Sequence, residues 1–286
     1  MDFESFSNRH RAAIDARLAG LLPGEDEAPE ALHRAMRYAV LSGGKRLRPL
    51  ITLALAEAVG GNIEDALDAG CAVELVHCFS LVHDDLPILD NDDLRRGIPT
   101  VHIAFDEPTA LLAGDALFAL AFAVVAKTGR AQAVTMLAEA SGTRGMVGGQ
   151  TIDVESEGRA VDLTVIEWIH RRKTGALFEA AAGLGALFGG GTEEQVLAAR
   201  SYGMDLGLAF QIADDVLDET ASTEALGKRS QADRGLSKAT YPAAIGIAGS
   251  RRLAEEAAKR ALHSLAVFPN AAAAEMLAQF AIKRSA

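Results

Sequence analysis

The sequence predicts an all-α protein, a single-domain bundle of about ten or more helices around a large central cavity. Three observations carry this prediction. Apolar residues recur at spacings of three and four, Ala and Leu dominate the periodic segments, and alternating β-branched runs are missing. Glycine and proline punctuate the segments, and no linker-like stretch divides the 286 residues. One domain over residues 1–286 is therefore expected.

Each helix is predicted from this periodicity and its Gly or Pro boundaries. The segments at 62–85 and 193–218 are apolar on most faces, so we expect them at the centre of the bundle. The full set of candidate helices is 5–21, 28–41, 47–59, 62–85, 109–127, 130–148, 164–188, 193–218, 240–248, 251–264 and 270–282.

Composition restricts the classes of partner. The net charge of −11, from 28 basic and 39 acidic residues, argues against nucleic-acid binding through a broad basic surface. Cys71 and Cys78 are seven residues apart on one predicted helix, roughly 10 Å along its axis, too far for a disulfide. The longest apolar run, 116–126, is too short to span a bilayer. A soluble cytoplasmic protein without stable membrane insertion is expected.

Two acidic clusters carry the chemistry. D-D-L-P-I-L-D and D-D-V-L-D each follow an apolar helix, and they contribute Asp84, Asp85 and Asp90, and Asp214, Asp215 and Asp218. Crowded carboxylates beside buried residues require cations, and oxygen ligands of this kind suit Mg²⁺ with substrate phosphates. Asp214 and Asp218 are i and i+4 on one helix. Pro87 disfavours helical geometry before it, so we expect a bulge or helix end that returns Asp90 toward Asp84.

Basic residues in two further motifs could bind the phosphate groups. In G-G-K-R-L-R-P, at 43–49, a glycine turn precedes Lys45, Arg46 and Arg48, a pattern that suits phosphate oxygens. Arg95 and Arg96 directly follow the first cluster. Solvated loop charges, or pairing of these two arginines with Asp92 and Asp93, remain the alternatives.

These motifs resemble the trans-isoprenyl diphosphate synthases, with the nearest likeness to bacterial farnesyl diphosphate synthases. The resemblance spans roughly residues 30–285 and rests on 43–49, 74–97, Lys173-Thr174, F-Q-I-A-D-D-V-L-D at 210–218, and 227–242. It implies an isoprenoid synthase fold, a homodimer, and head-to-tail 1′-4 condensation of isopentenyl diphosphate with an allylic diphosphate.

The resemblance also implies a role for each matching residue. Three Mg²⁺ ions, with Mn²⁺ as an alternative ion, would bind the allylic diphosphate through Asp84, Asp90 and Asp214, supported by Asp85 and Asp218. That diphosphate would also contact Arg95, Lys173, Lys228 and Lys238. Isopentenyl diphosphate would be held by Lys45, Arg48, His77 and Arg96. Thr174 and Gln211 would face the allylic carbons.

Product length is predicted from Phe79. It lies five residues before Asp84, so its Cα is roughly 7.5 Å deeper along the helix. An aromatic ring there resembles the farnesyl-producing pattern, whereas small or Met-like residues accompany longer products. We therefore expect a C15 product; simple core packing of Phe79 is the alternative.

Other readings of the same motifs stay open. A geranylgeranyl diphosphate synthase would use the same residues with a longer product. A class I terpene cyclase would need an N-x-x-x-S-x-x-x-E-type motif where this chain has D-D-V-L-D. A non-catalytic regulatory subunit would be expected to have lost carboxylates or lysines. The chain departs from the family pattern at Asn91, although Asp90, the expected ligand, remains. It also departs at Gln231 and Leu236-Ser237, which puts the closed geometry of the last loop in question.

Overall fold

A computed structural model describes residues 3–159, 161–220 and 238–283. These residues fold as helices joined by short turns, which confirms the predicted all-α class. In chain order the helices are α1 Phe3–Leu21, α2 Glu30–Leu41, α3 Leu47–Ala58, α4 Ile63–Asp84, α5 Val101–Ala104, α6 Glu107–Ala126, α7 Ala131–Ser141, α8 Met146–Ser156, α9 Leu163–His170, α10 Ala176–Phe188, α11 Glu193–Thr220, α12 Tyr241–Ser264 and α13 Ala272–Lys283.

The two apolar helices that end in acidic clusters lie inside the bundle. Helix α4 packs against α3, α6 and α10, and α11 packs against α10 and α12. One large hydrophobic cluster draws residues from α1 through to α13. A smaller cluster joins α9, α11 and α12 around Ile166, Ile212 and Tyr241. Burial on most faces explains why neither helix shows a one-sided apolar stripe.

Three features differ from the predicted elements. The segment predicted as one helix over 130–148 is broken at Gly142–Gly145, and α8 continues to Ser156. A Cβ at Gly145 would collide with the carbonyl oxygen of Ala140, so the tight turn requires glycine. The helices predicted at 240–248 and 251–264 form one element, α12, with a kink at Gly246, whose φ is 73°.

Two short strands, a π-helical turn and the short helix α5 were not predicted. Strands β1 Leu94–Arg95 and β2 Ile98–Pro99 pair antiparallel across a turn in which Arg96 and Gly97 have positive φ. A π-helical turn, Arg171–Gly175, interrupts the predicted helix over 164–188. Such turns change the direction in which side chains project, and they recur at functional sites.

Within the described part of the chain, two helices, α4 and α6, are long and apolar enough to cross a membrane by length and composition alone. The run over 116–126 therefore understates the apolar length of α6. For α4 most of the apolar window, 61%, is buried inside the protein, as in a core helix. For α6 only 39% is buried. Cys71 and Cys78 are both free and buried, as predicted.

A buried ion pair anchors the turn before α3. Arg46 has a positive φ of 51° and a side chain that is 1% exposed. It donates to Glu74 on α4 at 3.2 Å, to Asp15 on α1 at 2.8 Å and to the Val40 carbonyl at 2.7 Å. One guanidinium thus joins α1, the end of α2, and α4.

We expect Arg46→Met to destabilise the protein by roughly 3–5 kcal/mol, because Glu74 would be left as a buried, unpaired carboxylate. The double variant Arg46→Met/Glu74→Leu should recover much of that loss. Arg34→Ala, which removes an exposed ion pair with Glu30, is the control and should cost about 1 kcal/mol or less. Urea unfolding measures all three; equal losses in Arg46→Met and the control would contradict the anchoring role.

Candidate active site

The first acidic cluster is shaped by the end of α4. The helix stops at Asp84, and the chain turns through Pro87 until the Asp90 amide donates to the Asp84 carbonyl at 2.8 Å. This confirms the predicted helix end that returns Asp90 toward Asp84. Asp90 therefore lies beside Asp84 although six residues separate them.

Two lysines from distant elements approach this cluster. Lys238, just before α12, places its Nζ 3.0 Å from Asp90 Oδ1. Lys173, in the π-helical turn, donates to Asp153 on α8 at 2.6 Å. No sequence motif points to Asp153, because it stands alone outside both acidic clusters. Lys228 lies outside the described residues, as do Gln231 and Leu236-Ser237.

Burial and charge shift the pKa values in this region. Burial is the main cause that raises the pKa of Asp84; Lys173 opposes it and the neighbouring Asp90 adds to it. For Lys173, burial lowers the pKa, but the carboxylates of Asp153, Asp84 and Asp90 outweigh it, and the net shift is upward. Lys173 is thus charged at neutral pH, whereas burial disfavours the charged form of Asp84.

Asp85 pairs with Arg95, although its motif predicts that it supports a metal ion. It is buried, and Arg95 donates to its carboxylate through Nε at 2.8 and 2.9 Å and through Nη2 at 2.6 Å. The structure thus joins a predicted metal-supporting carboxylate to a predicted diphosphate contact. Arg95 makes this pair rather than one with Asp92 or Asp93, because the β1–β2 turn directs it back toward α4.

The second acidic cluster lies on α11, where Asp214 is half-buried and Asp218 is buried. Asp215 between them is tied to its surroundings. It accepts from Gln211 Nε2 at 3.0 Å and from the Tyr241 amide at 3.1 Å, and His170 Nε2 lies 3.5 Å away. Asp215 thus fixes the start of α12 against α11.

Thr174 and Gln211 meet, as their shared predicted role requires. The Thr174 hydroxyl donates to Gln211 Oε1 at 2.7 Å, which joins the π-helical turn to α11. Because the Gln211 amide nitrogen is engaged by Asp215, the orientation of the amide is fixed by its two partners. Behind this pair, burial lowers the pKa of His170 to about 4, so its ring is neutral at pH 7.

Basic residues that include Arg48, Arg96 and His77 lie near the first acidic cluster, and we call them the cationic region. Burial lowers the pKa of the Arg48 guanidinium to about 10, and its Nε is buried without a hydrogen-bond partner among the described residues. Its guanidinium lies 5.0 Å from the Phe178 ring centroid. Burial, then the charges of Arg48, Arg96 and Arg95, hold the pKa of His77 well below its usual range.

The glycine turn shapes this cationic region. Gly43 and Gly44 both have positive φ, and the Arg96 guanidinium donates to the Gly43 carbonyl. A Cβ at Gly44 would collide with that guanidinium. The turn therefore brings Lys45 and Arg48 to the same region as Arg96 and His77. The buried Nε of Arg48, unpaired within the described ranges, lies near the exposed guanidinium of Arg96 and fits an anion such as a diphosphate.

The carboxylates would bind a metal ion together with water and substrate phosphates, and not as complete metal sites by themselves. Across residues 3–159, 161–220 and 238–283, no three or more His, Cys, Asp or Glu side chains form a group that could hold a metal ion. Mg²⁺ commonly takes only one or two carboxylates and completes its coordination with water and substrate phosphates. Asp84 and Asp90 on one side, and Asp214 and Asp218 on the other, fit that mode.

An aromatic cluster lies on the other face of α4. The Phe79 ring contacts Phe118 on α6, with centroids 4.8 Å apart, and Phe118 contacts Phe122 at 5.0 Å. His83 meets Phe79 edge-on at 4.8 Å and bonds the Leu111 carbonyl at 2.9 Å. Three rings thus fill the space between α4 and α6, and the sequence pointed only to the first.

Comparison with known proteins agrees with this fold and these motifs. The Polyprenyl synthetase family model matches residues 29–275. The chain is 46% identical over 288 residues to geranylgeranyl pyrophosphate synthase 12, chloroplastic, of Arabidopsis thaliana, covering 97% of this chain and 79% of that protein. The chain therefore belongs to the polyprenyl synthetase family, the trans-isoprenyl diphosphate synthases, as the sequence motifs predict.

Solved structures share the fold over nearly the whole chain. An FPP/GFPP synthase from Zymomonas mobilis has a TM-score of 0.86 and 38% identity, covering 98% of both chains. A geranyltransferase from Helicobacter pylori, complexed with magnesium and isoprenyl diphosphate, has a TM-score of 0.85 and 28% identity, covering 99% of this chain and 97% of that one. The isoprenoid synthase fold is thus confirmed.

Proposed function

We propose that this trans-prenyltransferase condenses isopentenyl diphosphate with dimethylallyl or geranyl diphosphate, head to tail, with Mg²⁺. The observation that carries the proposal is the separation of charge. Carboxylates lie at the ends of α4 and α11, with Lys173 and Lys238 beside the first cluster, whereas the guanidiniums of Arg48 and Arg96 lie near the neutral His77 ring. One region suits a metal-bound diphosphate, and the other suits a diphosphate bound by cations alone.

On the allylic side, Asp84, Asp90, Asp214 and Asp218 would hold Mg²⁺ against the diphosphate, with three ions expected and Mn²⁺ as an alternative. Bound Mg²⁺ would stabilise the charge that develops on the leaving diphosphate. Lys173 and Lys238 are already held beside these carboxylates, so their charges would favour the same anion. Asp85 would act through Arg95, by fixing its guanidinium.

The allylic cation that forms must meet electron-rich groups and no water. The Thr174 hydroxyl hydrogen is engaged by Gln211, so the lone pairs of the Thr174 oxygen remain to face positive charge. Apolar side chains of the core would exclude water that could trap the cation. The double bond of isopentenyl diphosphate, held by Lys45, Arg48, His77 and Arg96, would attack, and the released diphosphate would accept the proton that is lost.

The test is a product assay with Mg²⁺, labelled isopentenyl diphosphate and C5, C10 and C15 allylic primers, together with Arg48→Ala. The variant loses charge-assisted hydrogen bonds to one diphosphate, so its KM for isopentenyl diphosphate should rise about 10- to 100-fold with little change in the allylic KM. Arg34→Ala is the control and should match the wild type. An absence of product with every primer, from folded protein, would sink the proposal; a cyclic hydrocarbon would indicate a terpene cyclase.

Product length is a separate part of the proposal. The ring cluster of Phe79, Phe118 and Phe122 supports a C15 limit, because a chain growing between α4 and α6 would meet it. The second candidate is a C20 product. The names of the curated relatives, geranylgeranyl pyrophosphate synthases at up to 46% identity, favour it over C15. The two candidates differ in whether the Phe79 ring closes the path.

Phe79→Ala separates them. If the ring limits growth, the wild type releases mainly C15 and the variant shifts to C20 or longer products, because the space under Asp84 opens. Phe3→Ala removes a ring that stacks on Phe280, between α1 and α13, and should leave the product profile unchanged. Chromatographic sizing reads the outcome; identical profiles for Phe79→Ala and the wild type would remove Phe79 as the floor.

We also propose a homodimer in which α6 packs against a second copy. Helix α6 has a mean hydropathy of 2.1 in its most apolar window, yet Leu111 and Leu112 are 46% and 55% exposed. Exposed apolar faces of this kind mark contact surfaces.

The charge that Leu112→Glu introduces into this surface should therefore shift the sedimentation coefficient to that of a monomer. Leu197→Glu, at a leucine that is 54% exposed on α11, should remain dimeric; a dimer in both variants would place the interface elsewhere.

A further inference from the structure

A cavity lies beside the π-helical turn. Its lining residues are not among those assigned to the proposed reaction. Its volume is about 430 Å³, and we call it the arginine pocket after four of its lining residues, Arg144, Arg171, Arg172 and Arg200. It lies between α7, the turn before α8, the π-helical turn, α10 and α11. Its volume falls in the range of small-molecule sites.

Two of the four arginines are occupied by neighbours. Arg171 pairs with Glu167 at 2.7 Å, and Arg200 pairs with Glu179 at 2.7 Å. Arg144 and Arg172 differ, since within the described residues neither side chain makes a hydrogen bond or ion pair. Arg172 lies flat on the Trp168 ring, 3.9 Å from its centroid. Its guanidinium is thus held in place by stacking while its donors stay available.

The remaining walls of the arginine pocket are mostly apolar. Met136, Ala140, Ala176 and Ala180 are buried there, with Met204 beside them. Glu139, also in the lining, is the acidic group besides Glu179. Two available guanidiniums above an apolar floor match a ligand with an anionic head and an apolar body. Methionines adapt to such a body because their side chains are flexible and polarizable.

We propose that the arginine pocket binds a phosphate-bearing amphiphile, with the phosphate on Arg144 and Arg172 and the apolar part against Met136 and Met204. The π-helical turn connects this pocket to the candidate active site, because Arg171 and Arg172 line the pocket while Lys173 and Thr174 reach Asp153 and Gln211. A ligand on Arg172 therefore contacts the same turn that carries Lys173.

Calorimetric titration of the purified protein with n-octyl phosphate and with inorganic phosphate tests the proposal. We expect n-octyl phosphate to bind more tightly than inorganic phosphate, because the apolar floor adds burial to the charge contact. Arg144→Ala/Arg172→Ala should weaken n-octyl phosphate binding about tenfold or more, as expected for two lost charge-assisted hydrogen bonds. Arg252→Ala, at an exposed arginine on α12, is the matched control and should bind like the wild type.

Two further single variants distinguish binding in the arginine pocket from binding in the candidate active site. Arg144→Ala alone changes an exposed turn residue, so it should fold normally and still weaken binding. Arg48→Ala removes a cation from the candidate active site and should leave the binding of n-octyl phosphate in the arginine pocket intact. Loss of binding in Arg48→Ala with retention in both pocket variants would overturn the proposal. Equal affinity for n-octyl phosphate and inorganic phosphate would overturn it as well, since the apolar floor would then contribute nothing.

Discussion

Like charges placed together at a buried site carry an electrostatic cost, and the elements around the candidate active site are constrained by it. Asp84 and Asp90 lie side by side at the buried end of α4, where burial and mutual repulsion raise the pKa of Asp84. Nearby, burial lowers the pKa of Arg48. An anion that bridges cations and metal ions would relieve both strains. Diphosphate binding of the proposed kind would therefore offset the cost of burying these charges.

Such an arrangement needs a rigid frame, which the ion pairs outside the cavity supply. Arg46 joins α1, α2 and α4 beneath the glycine turn. Asp85 fixes Arg95, and Asp153 fixes Lys173. In each case a charge that faces away from the proposed substrates holds a neighbouring element in place. Breaking one of these pairs would move the catalytic groups as well as destabilise the fold.

The π-helical turn is the element through which separate regions meet. Within five residues it carries arginines toward the arginine pocket, and Lys173 and Thr174 toward Asp153 and Gln211. The glycines at Gly149 and Gly175 allow close packing here, since a Cβ at either would collide with Lys173 or Met204.

The sequence by itself determined the helical class, the family, and the two acidic motifs, because periodicity and short motifs are local properties. It also predicted the helix end near Pro87, since proline acts on its immediate neighbour. Only the tertiary structure decided the partners of individual charges. The pairing of Asp85 with Arg95, the contact of Asp153 with Lys173, the buried position of Arg46 and the stacking of Phe79 on Phe118 join elements far apart in the chain. Such contacts depend on how helices pack, and spacing within one helix does not encode them.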